Sequence, residues 1–397
     1  MAAFQTISDL NIQGQRVLVR ADLNVPMKDG AVSDDTRLIR FLPTLIKLRD
    51  AGAKIVILSH FGRPKGQREV AFSLRPVGER LAELLGSPIS FADDCIGDVA
   101  HKAVDALQDG DILLLENTRF YKGETDNDPI FAQKLAMLGD VYVNDAFSAA
   151  HRAHASTEGI AHLLPSAAGL LMEAELNALG AALEQPEPPV AALVGGAKIS
   201  TKLDVLHNLI KKTDLLILGG GMANTFLAAQ GKAIGKSLYE AEMLDTAREI
   251  MKAAEENDCR LLLPNDVVVA SALEENIETQ TVSSDMVPAD KMILDVGLDT
   301  IAEIKTALAT CRTIIWNGPL GVFEIAPFDQ GTSEVAQYVA QLTDNNKMLS
   351  VAGGGDTVAA LSKAGVLNAF SYVSTAGGAF LEWMEGKTLP GVKALEL

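Results

Sequence analysis

The sequence has few cysteines, and they form none of the patterns that bind metals or build disulfide frameworks. Cys95, Cys259 and Cys311 are odd in number and widely separated, and no Cys-x-x-Cys pair occurs. A scattered, odd set excludes a disulfide scaffold and gives no zinc-ligand spacing. We therefore interpret all three as reduced side chains of the core.

The 397-residue chain also lacks a long hydrophobic run. No apolar segment reaches the roughly 18 residues that a membrane-spanning helix needs. Residues 1–9 have neither the basic start nor the apolar stretch of a secretory signal. With 48% hydrophobic and 22% charged residues, the chain is predicted to be a globular cytoplasmic protein with no membrane partner.

Positive charge is scarce, since 34 Lys and Arg stand against 52 Asp and Glu for a net charge of −18. Nucleic-acid binding requires a basic surface, so no nucleic-acid partner is predicted. The arginines are nevertheless concentrated, because 11 of the 14 lie within residues 1–170. A guanidinium suits carboxylate and phosphate oxygens, which favours an anion site in this part of the chain. A solvated surface is the alternative.

Short apolar runs recur along the chain, each followed by a glycine or polar turn and then an amphipathic segment. This pattern is typical of βα units around a parallel sheet. It predicts an α/β protein with two doubly wound, Rossmann-like parallel-sheet domains. The predicted strands are residues 16–20, 54–59, 112–115, 141–143, 190–194, 215–218, 261–263, 292–294, 313–315 and 348–351.

A domain boundary is predicted near residue 170. Residues 170–183 are rich in Ala, Leu and Glu, and a proline-rich break follows at residues 185–189. One continuous sheet would need more than about ten strands, which is above the usual range. We therefore predict a first domain of residues 1–170, a linker helix at 171–185 and a second domain of residues 186–385.

Polar residues follow the predicted strands of the first domain. Ligands of open α/β sheets bind beyond the carboxyl ends of the strands, so these residues are candidates for a site. Any one of them alone is more simply a surface or capping residue. Their repetition at one sheet edge favours a pocket for a small polyanion, with arginines binding the charge and two residues holding a hydroxyl. The arginines are Arg37, Arg63, Arg119 and Arg152, and the hydroxyl ligands are Asp22 and Asn24.

Glycine clusters follow the predicted strands of the second domain, at residues 195–198, 219–222, 353–357 and 375–378. Glycine lets backbone N–H groups approach phosphate oxygens, and a following helix N-terminus favours negative charge. Tight strand-to-helix turns are the alternative explanation.

Two known nucleotide-binding motifs do not fit the sequence. Residues 230–237 end like a P-loop but lack its first glycine and its preceding strand. No dinucleotide-binding glycine fingerprint follows the first strand.

Several segments together resemble the phosphoglycerate kinase family, in the family's order and over essentially the whole chain. The segments are residues 20–26 (RADLNVP), 60–64 (HFGRP), 150–156 (AHRAHAS), 195–198 (GGAK), 316–319 (WNGP), 321–324 (GVFE) and 353–357 (GGGDT). The resemblance implies two domains that face each other across a cleft, joined by a helical hinge. It also implies that residues 386–397 return to the first domain and that the protein is a monomer.

The resemblance further implies a function in glycolysis and gluconeogenesis. The expected reaction is reversible, Mg²⁺-dependent phosphoryl transfer between 1,3-bisphosphoglycerate and ADP, giving 3-phosphoglycerate and ATP after domain closure. The matching substrate-binding positions are Asp22, Asn24, Arg37, His60, Arg63, Arg119 and Arg152, and the matching nucleotide positions are Lys198, Lys202, Glu324, Gly354, Gly355, Asp356 and Thr357. Asp356 is the expected magnesium ligand, and Arg37 and Lys198 are the expected catalytic residues.

One departure from the family pattern is Ala376, which stands where the family usually has glycine. If the backbone there needed a positive φ, alanine would strain it. Three other readings remain open from the residues alone. They are a nicotinamide dehydrogenase, a two-lobed receptor that closes on a small anion, and a structural partner protein.

Overall fold

The computed structural model describes residues 3–397, which divide into two compact units. The first unit contains the chain up to Leu176 together with Thr388–Leu397. The second unit is Asn177–Lys387. Each unit is built on a parallel sheet of its own.

The first unit contains a six-stranded parallel sheet and a small hairpin. Its strands are β1 (Arg16–Arg20), β2 (Met27–Lys28), β3 (Ala31–Val32), β4 (Lys54–Leu58), β5 (Ser90–Ala92), β6 (Ile112–Leu115), β7 (Val141–Asn144) and β8 (Ser166–Ala168). The order in the large sheet is β5-β6-β4-β1-β7-β8, and β2 pairs with β3. Because β1 lies at the centre, the loops after β1, β4, β6 and β7 emerge side by side at one edge.

The helices of the first unit follow its strands in sequence. They are α1 (Thr36–Asp50), α2 (Arg75–Leu85), α3 (Gly97–Asp105), α4 (Lys122–Thr125), α5 (Pro129–Ala136) and α6 (Leu170–Leu179). The start of α5 shows how the sequence defines a terminus. Asp128 accepts a hydrogen bond from the Phe131 N–H at 2.8 Å, and Pro129 occupies the first turn, where it has no N–H to leave unpaired.

The second unit contains another six-stranded parallel sheet. Its strands are β9 (Val190–Val194), β10 (Leu215–Leu218), β11 (Arg260–Leu262), β12 (Asp266–Ala270), β13 (Gln280–Ser283), β14 (Met292–Val296), β15 (Thr313–Asn317), β16 (Leu349–Gly353) and β17 (Tyr372–Ser374). The order is β11-β10-β9-β15-β16-β17. The remaining strands form a separate sheet of order β13-β12-β14, which is antiparallel.

That separate sheet corrects one prediction. The apolar run at residues 292–294 is a strand, as predicted, but it pairs antiparallel with β12 and is not part of the parallel sheet. Its partners β12 and β13 were not predicted at all. The run carries no signal for pairing direction, because parallel or antiparallel pairing depends on residues distant in sequence.

The helices of the second unit alternate with its strands. They are α7 (Leu203–Leu209), α8 (Gly220–Ala229), α9 (Leu244–Glu256), α10 (Leu298–Leu308), α11 (Gln330–Asp344), α12 (Gly355–Lys363) and α13 (Gly377–Met384). Three of them begin directly at the predicted glycine clusters, namely α8, α12 and α13. Glycine clusters therefore lie at the strand-to-helix turns of this sheet.

In both units, apolar runs that do not alternate with polar residues form strands of the core. β6, β7, β9 and β15 are buried at every position, because helices cover both faces of a parallel sheet. The prediction of two parallel-sheet α/β units is confirmed.

The three cysteines are unpaired and buried. Among residues 3–397, no helix has both the length and the apolar character required to cross a membrane.

Helix α6 leads from the first unit to the second, since the division falls after Leu176. Its start is fixed by Asp145, which directly follows β7. One carboxylate oxygen of Asp145 accepts hydrogen bonds from the N–H groups of Leu171 and Met172, at 2.8 and 3.1 Å. Burial raises the pKa of Asp145 to about 6. The same loop that follows β7 therefore both contributes to the sheet edge and caps the connecting helix.

The last residues pack on the first unit. The Gly391 N–H donates to the Ala150 carbonyl at 2.8 Å, and the Leu397 N–H donates to the Ala3 carbonyl at 2.9 Å. Leu389 and Leu395 are buried. A short helix, α14 (Pro390–Lys393), lies between them. The first unit is thus completed by residues from both ends of the chain.

Candidate active site

Three predicted residues form a hydrogen-bonded cluster after β1 in the first unit. Arg37, in the first turn of α1, donates from Nη1 to Asp22 Oδ2 at 2.7 Å and to the Asn24 carbonyl at 3.0 Å. Ser148, after β7, also donates to Asp22 Oδ2. Asp22 is therefore oriented from two sides, while the Arg37 side chain remains 39% exposed. Most of its five donors stay available to a ligand.

Gly62 connects this cluster to the arginines of the neighbouring loops. Its N–H donates to Asn24 Oδ1 at 2.9 Å, and its carbonyl accepts from Arg119 Nη1 at 2.8 Å. The loop after β4, which carries His60 and Arg63, is therefore attached to the loops after β1 and β6. These contacts bring the predicted side chains of separate strands to one edge of the sheet.

A basic pocket of about 590 Å³ lies at this edge and is called the anion pocket below. Three predicted arginines line it, namely Arg63, Arg119 and Arg152. The sequence analysis did not select its other polar lining residues, which are Lys65, Lys122, Thr125 and His154. A signal for two of them was present, because Lys65 follows Pro64 in the Arg63 loop and Lys122 comes three residues after Arg119.

The anion pocket concentrates positive charge. Burial, together with the nearby charges of Arg20, Arg152 and Arg63, lowers the pKa of Arg119 to about 10. Burial and the charges of Arg119, Arg20 and Arg152 lower the pKa of His154 to about 4. Arg119 Nε is also buried without a hydrogen-bond partner. A bound anion would relieve this repulsion and supply acceptors, so the arrangement is suited to a phosphate or carboxylate group.

In the second unit, glycines allow two strand-end loops to touch. A Cβ atom on Gly195 would lie 1.8 Å from the Pro319 carbonyl oxygen. Gly354, which precedes α12, has a φ of 98°, and a Cβ there would lie 2.6 Å from Asn317 Nδ2. Only glycine fits at these two positions. The loops after β9, β15 and β16 therefore meet through their backbones.

Lys202 joins the same loops through hydrogen bonds of its buried ammonium group. Its Nζ donates to the carbonyl oxygens of Gly195 and Asn317, at 2.6 and 3.2 Å, and to Asn317 Oδ1 at 2.6 Å. Burial lowers the pKa of Lys202 to about 8, against the opposing effect of Asp356. An ammonium group has three donors, and all three are engaged here. Asn317 belongs to the WNGP segment, but the sequence analysis gave it no role.

A second pocket of about 340 Å³ lies beside these loops and is called the glycine-lined pocket below. Predicted residues Glu324 and Asp356 line it, and so do glycines of the loops after β9 and β10. One wall is apolar and comes from the antiparallel sheet and its surroundings, with Leu238, Leu294 and Val322. The sequence analysis missed this wall, because its residues resemble ordinary core positions.

Asp295 is part of the same wall. Its carboxylate accepts hydrogen bonds from the N–H groups of Val296 and Gly331, both at 2.8 Å. Burial raises its pKa to about 7. Because Gly331 lies in the first turn of α11, Asp295 links that helix to the strand that forms the pocket.

The remaining predicted residues are close to α12. Thr357 is buried and accepts a hydrogen bond from the Gly318 N–H at 2.7 Å. Gly355 and Asp356 are exposed in the first turn of the helix. Ala376 has a φ of −94°, so alanine causes no left-handed strain there.

Comparison with known proteins identifies the family. A family model described as phosphoglycerate kinase matches residues 7–387 of the chain. The chain belongs to the phosphoglycerate kinase family. This confirms the resemblance stated from the sequence and makes the protein a kinase of glycolysis.

Individual phosphoglycerate kinases align over the full chain. The phosphoglycerate kinase of Rhodospirillum centenum is 60% identical over 393 residues, covering 99% of both chains. That of Methylorubrum populi is 58% identical over 396 residues, covering 100% of this chain and 99% of its own. The structure of phosphoglycerate kinase from Coxiella burnetii matches with a TM-score of 0.93 at 46% identity, covering 99% of both chains.

The loop that carries Lys198 is held by an acid that the family motifs did not indicate. Glu240 accepts hydrogen bonds from the Ser200 N–H, at 3.1 Å, and from the Ser200 hydroxyl. Burial alone would raise the pKa of Glu240, but the hydrogen bonds from Ser200 and Ile199 outweigh it, and the pKa is lowered. Lys198 itself is exposed. Glu240 therefore fixes the backbone from which Lys198 extends.

Replacing Glu240 with glutamine is expected to lower kcat about tenfold, corresponding to the loss of one charge-assisted hydrogen bond of roughly 1.5 kcal/mol. The amide nitrogen cannot accept from Ser200, so residues 197–201 lose part of their anchor. Steady-state kinetics and hydrogen exchange of that segment would measure both effects. Glu242→Gln changes an exposed acid two residues away and is the matched control. Unchanged exchange and unchanged kcat in Glu240→Gln would contradict this assignment.

Proposed function

We propose that the protein catalyses reversible phosphoryl transfer between 1,3-bisphosphoglycerate and ADP, giving 3-phosphoglycerate and ATP. The acceptor in the reverse direction is a carboxyl group. The observation that carries the proposal is the convergence of Arg63, Arg119 and Arg152 on one pocket, in a chain of the phosphoglycerate kinase family. A dehydrogenase or a solute receptor would not account for that combination.

The anion pocket is proposed to bind the phosphoglycerate. The three arginines would contact its phosphate, since one guanidinium group can donate two parallel hydrogen bonds to phosphate oxygens. Asp22 and Asn24, held in place by Arg37 and Gly62, would bind the hydroxyl and orient the glycerate. Arg37 would contact the carboxyl end, where the phosphoryl group is transferred. His60 is proposed as a further substrate contact.

The glycine-lined pocket is proposed to bind the nucleotide. Its apolar wall suits a flat base, and Glu324 at its rim would hold the ribose. Lys198, Gly354, Gly355 and Thr357 would lie along the phosphates, where backbone N–H groups are suitable donors. Lys202 is also proposed as a nucleotide contact, but its three donors are engaged by Gly195 and Asn317. It would exchange at least one of these partners when phosphate binds.

A magnesium ion is proposed to accompany the nucleotide, with Asp356 as its protein ligand. Among residues 3–397, no group of three or more His, Cys, Asp or Glu side chains forms a metal site. Mg²⁺ is commonly held by one or two carboxylates together with substrate phosphates and water, so a single exposed carboxylate beside the nucleotide pocket fits. When bound, the ion would neutralise charge on the phosphates.

The chain's own residues would act by positioning and charge stabilisation. A carboxylate acceptor is ionised at pH 7, so the transfer needs no general base. Arg37, Lys198 and the N–H groups at the start of α12 would stabilise the charge of the transferring group. Each such donor is expected to contribute about 2.7–4 kcal/mol.

A coupled assay of 3-phosphoglycerate-dependent ADP formation, with and without magnesium, tests this function directly. The expected result is ADP formation that requires both 3-phosphoglycerate and the metal. Glycerate, which lacks the phosphate, is the matched control substrate and should support little turnover, because it gives the three arginines nothing to bind. ADP formation independent of 3-phosphoglycerate would contradict the proposal.

We further propose that the two domains close on the substrates, with a hinge in residues 170–183, where α6 leads from one unit to the other. Residues 371–374 were the other expected hinge segment, but Tyr372–Ser374 form β17 inside the second unit, and the chain crosses back after Lys387. Reacting atoms must come within roughly 3–3.5 Å, and water must be excluded to protect the acyl phosphate. Small-angle scattering should therefore show a smaller radius of gyration with both substrates bound than without substrate. An unchanged radius in the ternary complex would count against closure. A monomer is proposed from the family resemblance, and the same scattering data give the mass. A cytoplasmic location is proposed from the composition of the sequence.

A further inference from the structure

Arg20 lies at the end of β1 and is completely buried, although its guanidinium carries a full charge. Three hydrogen bonds hold it. Its Nε donates to Ser156 Oγ at 2.8 Å, one terminal nitrogen donates to the Ala21 carbonyl, and Nη2 lies 2.9 Å from His60 Nδ1. Arg20 is not among the proposed substrate contacts. Its contact with His60 indicates that Arg20 acts on the His60 side chain.

The charge of Arg20 is balanced through one hydroxyl group. Ser156 Oγ donates to Glu124 Oε1 at 2.6 Å, and the Ser156 N–H donates to Glu124 Oε2 at 3.0 Å. Glu124 is also completely buried. The chain Glu124–Ser156–Arg20–His60 therefore joins a buried acid, a hydroxyl, a buried base and an imidazole. Ser156 thus bridges two buried, opposite charges, and this holds the members of the chain in one geometry, because either charge left alone would be costly.

The contact between Arg20 and His60 determines where the imidazole carries its proton. A guanidinium has five donors and no acceptor. His60 Nδ1 must therefore accept, so it carries a lone pair, and the ring hydrogen of the neutral imidazole is on Nε2. A second proton on Nδ1 would place two N–H groups against each other. Nε2 is then the only ring nitrogen left for a ligand.

The surroundings keep this imidazole neutral. Burial, followed by the charges of Arg20, Arg119, Arg152 and His154, holds the pKa of His60 well below its ordinary value. These groups come from the end of β1 and from the loops after β6 and β7. None of them is an acid that would stabilise an imidazolium, and Glu124 is already engaged by Ser156.

We propose that Arg20 is a positioning residue that holds His60 as a neutral imidazole with its Nε2–H directed to an oxygen acceptor of the anionic substrate. The inference rests on the proposed phosphoglycerate site for the identity of that acceptor. His60 then contributes a neutral hydrogen bond, whereas the arginines contribute charge. The His60 contribution to substrate affinity is consequently constant between about pH 6 and 8, a range in which an ordinary histidine changes charge.

Nitrogen NMR of the full-length, substrate-free protein tests the tautomer. The His60 ring signals, assigned by their loss in His60→Gln, are expected to show an unprotonated Nδ1 and a protonated Nε2, without titration between pH 8 and 6. A proton on Nδ1, or a titration midpoint near the ordinary histidine value, would overturn the inference. Because no substrate is present, this result does not depend on the proposed function.

Variant kinetics test the positioning role. His60→Gln retains an acceptor for Arg20 and an N–H donor, so its KM for 3-phosphoglycerate should stay within about threefold of wild type. His60→Leu removes both the acceptor and the donor. Its KM should rise about tenfold, which corresponds to the loss of one neutral hydrogen bond. Equal KM values for the two variants would contradict a donor role.

Arg20→Lys and Ser156→Ala extend the test to the supporting chain. Ser156→Ala removes one Arg20 contact and should leave the fold intact even if Arg20→Lys does not, as circular dichroism would show. In a folded variant, His60 should stay neutral, because its burial and the charges of Arg119, Arg152 and His154 remain. Its proton should then be shared between Nδ1 and Nε2, and KM should rise. A His60 that keeps its proton on Nε2 alone in both folded variants would refute a positioning role for Arg20. If the NMR result holds but 3-phosphoglycerate is not turned over, the proposed function fails and the Arg20–His60 geometry stands.

Discussion

Replacing Arg37 with alanine is expected to reduce kcat by about 10²–10³-fold, as measured for the loss of a single preorganised donor in other active sites. The side chain is 39% exposed, and its interaction with Asp22 uses only one of its terminal nitrogens. Asp22 keeps its hydrogen bonds from Ser148 and from the Asn24 N–H in the variant. No buried acid is therefore left unpaired, and the fold should persist.

Arg80→Ala is the matched control for this experiment. Arg80 also has a 39% exposed side chain and pairs with an aspartate in the same unit at 2.6 Å, but it lies on α2 and its partner is Asp35, not Asp22. Steady-state kinetics with 3-phosphoglycerate and ATP, with thermal unfolding of each variant, would separate catalysis from stability. An Arg37→Ala enzyme with nearly wild-type kcat would show that Arg37 does not act on the transferring group.

Replacing Asp356 with asparagine is expected to raise the magnesium concentration needed for half-maximal rate and to lower kcat about 10²-fold. The amide has the same size but loses the charge that a hard cation requires. Asp356 is exposed in the first turn of α12, so its replacement opens no cavity. The measurement is kcat as a function of magnesium at saturating nucleotide.

Loss of an acid from a helix N-terminus also costs about 0.3–1 kcal/mol through the helix dipole. Asp299→Asn controls for this effect, because Asp299 is likewise exposed in the first turn of a second-unit helix, α10. The two variants should lose similar stability, while only Asp356→Asn changes the magnesium dependence. An unchanged magnesium dependence in Asp356→Asn would remove Asp356 from the metal site.

The sequence predicted the parallel sheets well because their signal is local. Runs such as residues 112–115 and 190–194 are apolar at every position, as strands covered on both faces must be. Two strands missed in the first unit have weaker signals, since β8 reads Ser-Ala-Ala and β5 reads Ser-Phe-Ala, neither rich in β-branched residues. β12, by contrast, reads Asp-Val-Val-Val-Ala, a local strand signal that the prediction overlooked. Its antiparallel pairing with β13 and β14 is not visible in the composition of the run.

The residues of the candidate site also fall into those that the sequence could predict and those that it could not. Arg63 and Arg119 were predictable, since a charged residue after an apolar strand is visible in the sequence. The supporting residues were not, because Glu240 acts on Ser200 from 40 positions away and Arg20 lies inside a strand that reads as core. Lys202 was predicted as a nucleotide contact, a role that stays a prediction. Its three bonds to loop carbonyls could not be read from spacing.

The return of Thr388–Leu397 to the first unit has a consequence for how the protein is made. During synthesis, residues up to Leu176 leave the ribosome long before the segment that covers Ala150. The nascent first unit therefore keeps that surface uncovered until residues 388–397 have been made, whereas the second unit, Asn177–Lys387, is continuous in sequence. Emergence of residues 388–397 from the ribosome is the event that lets the first unit reach its final packing.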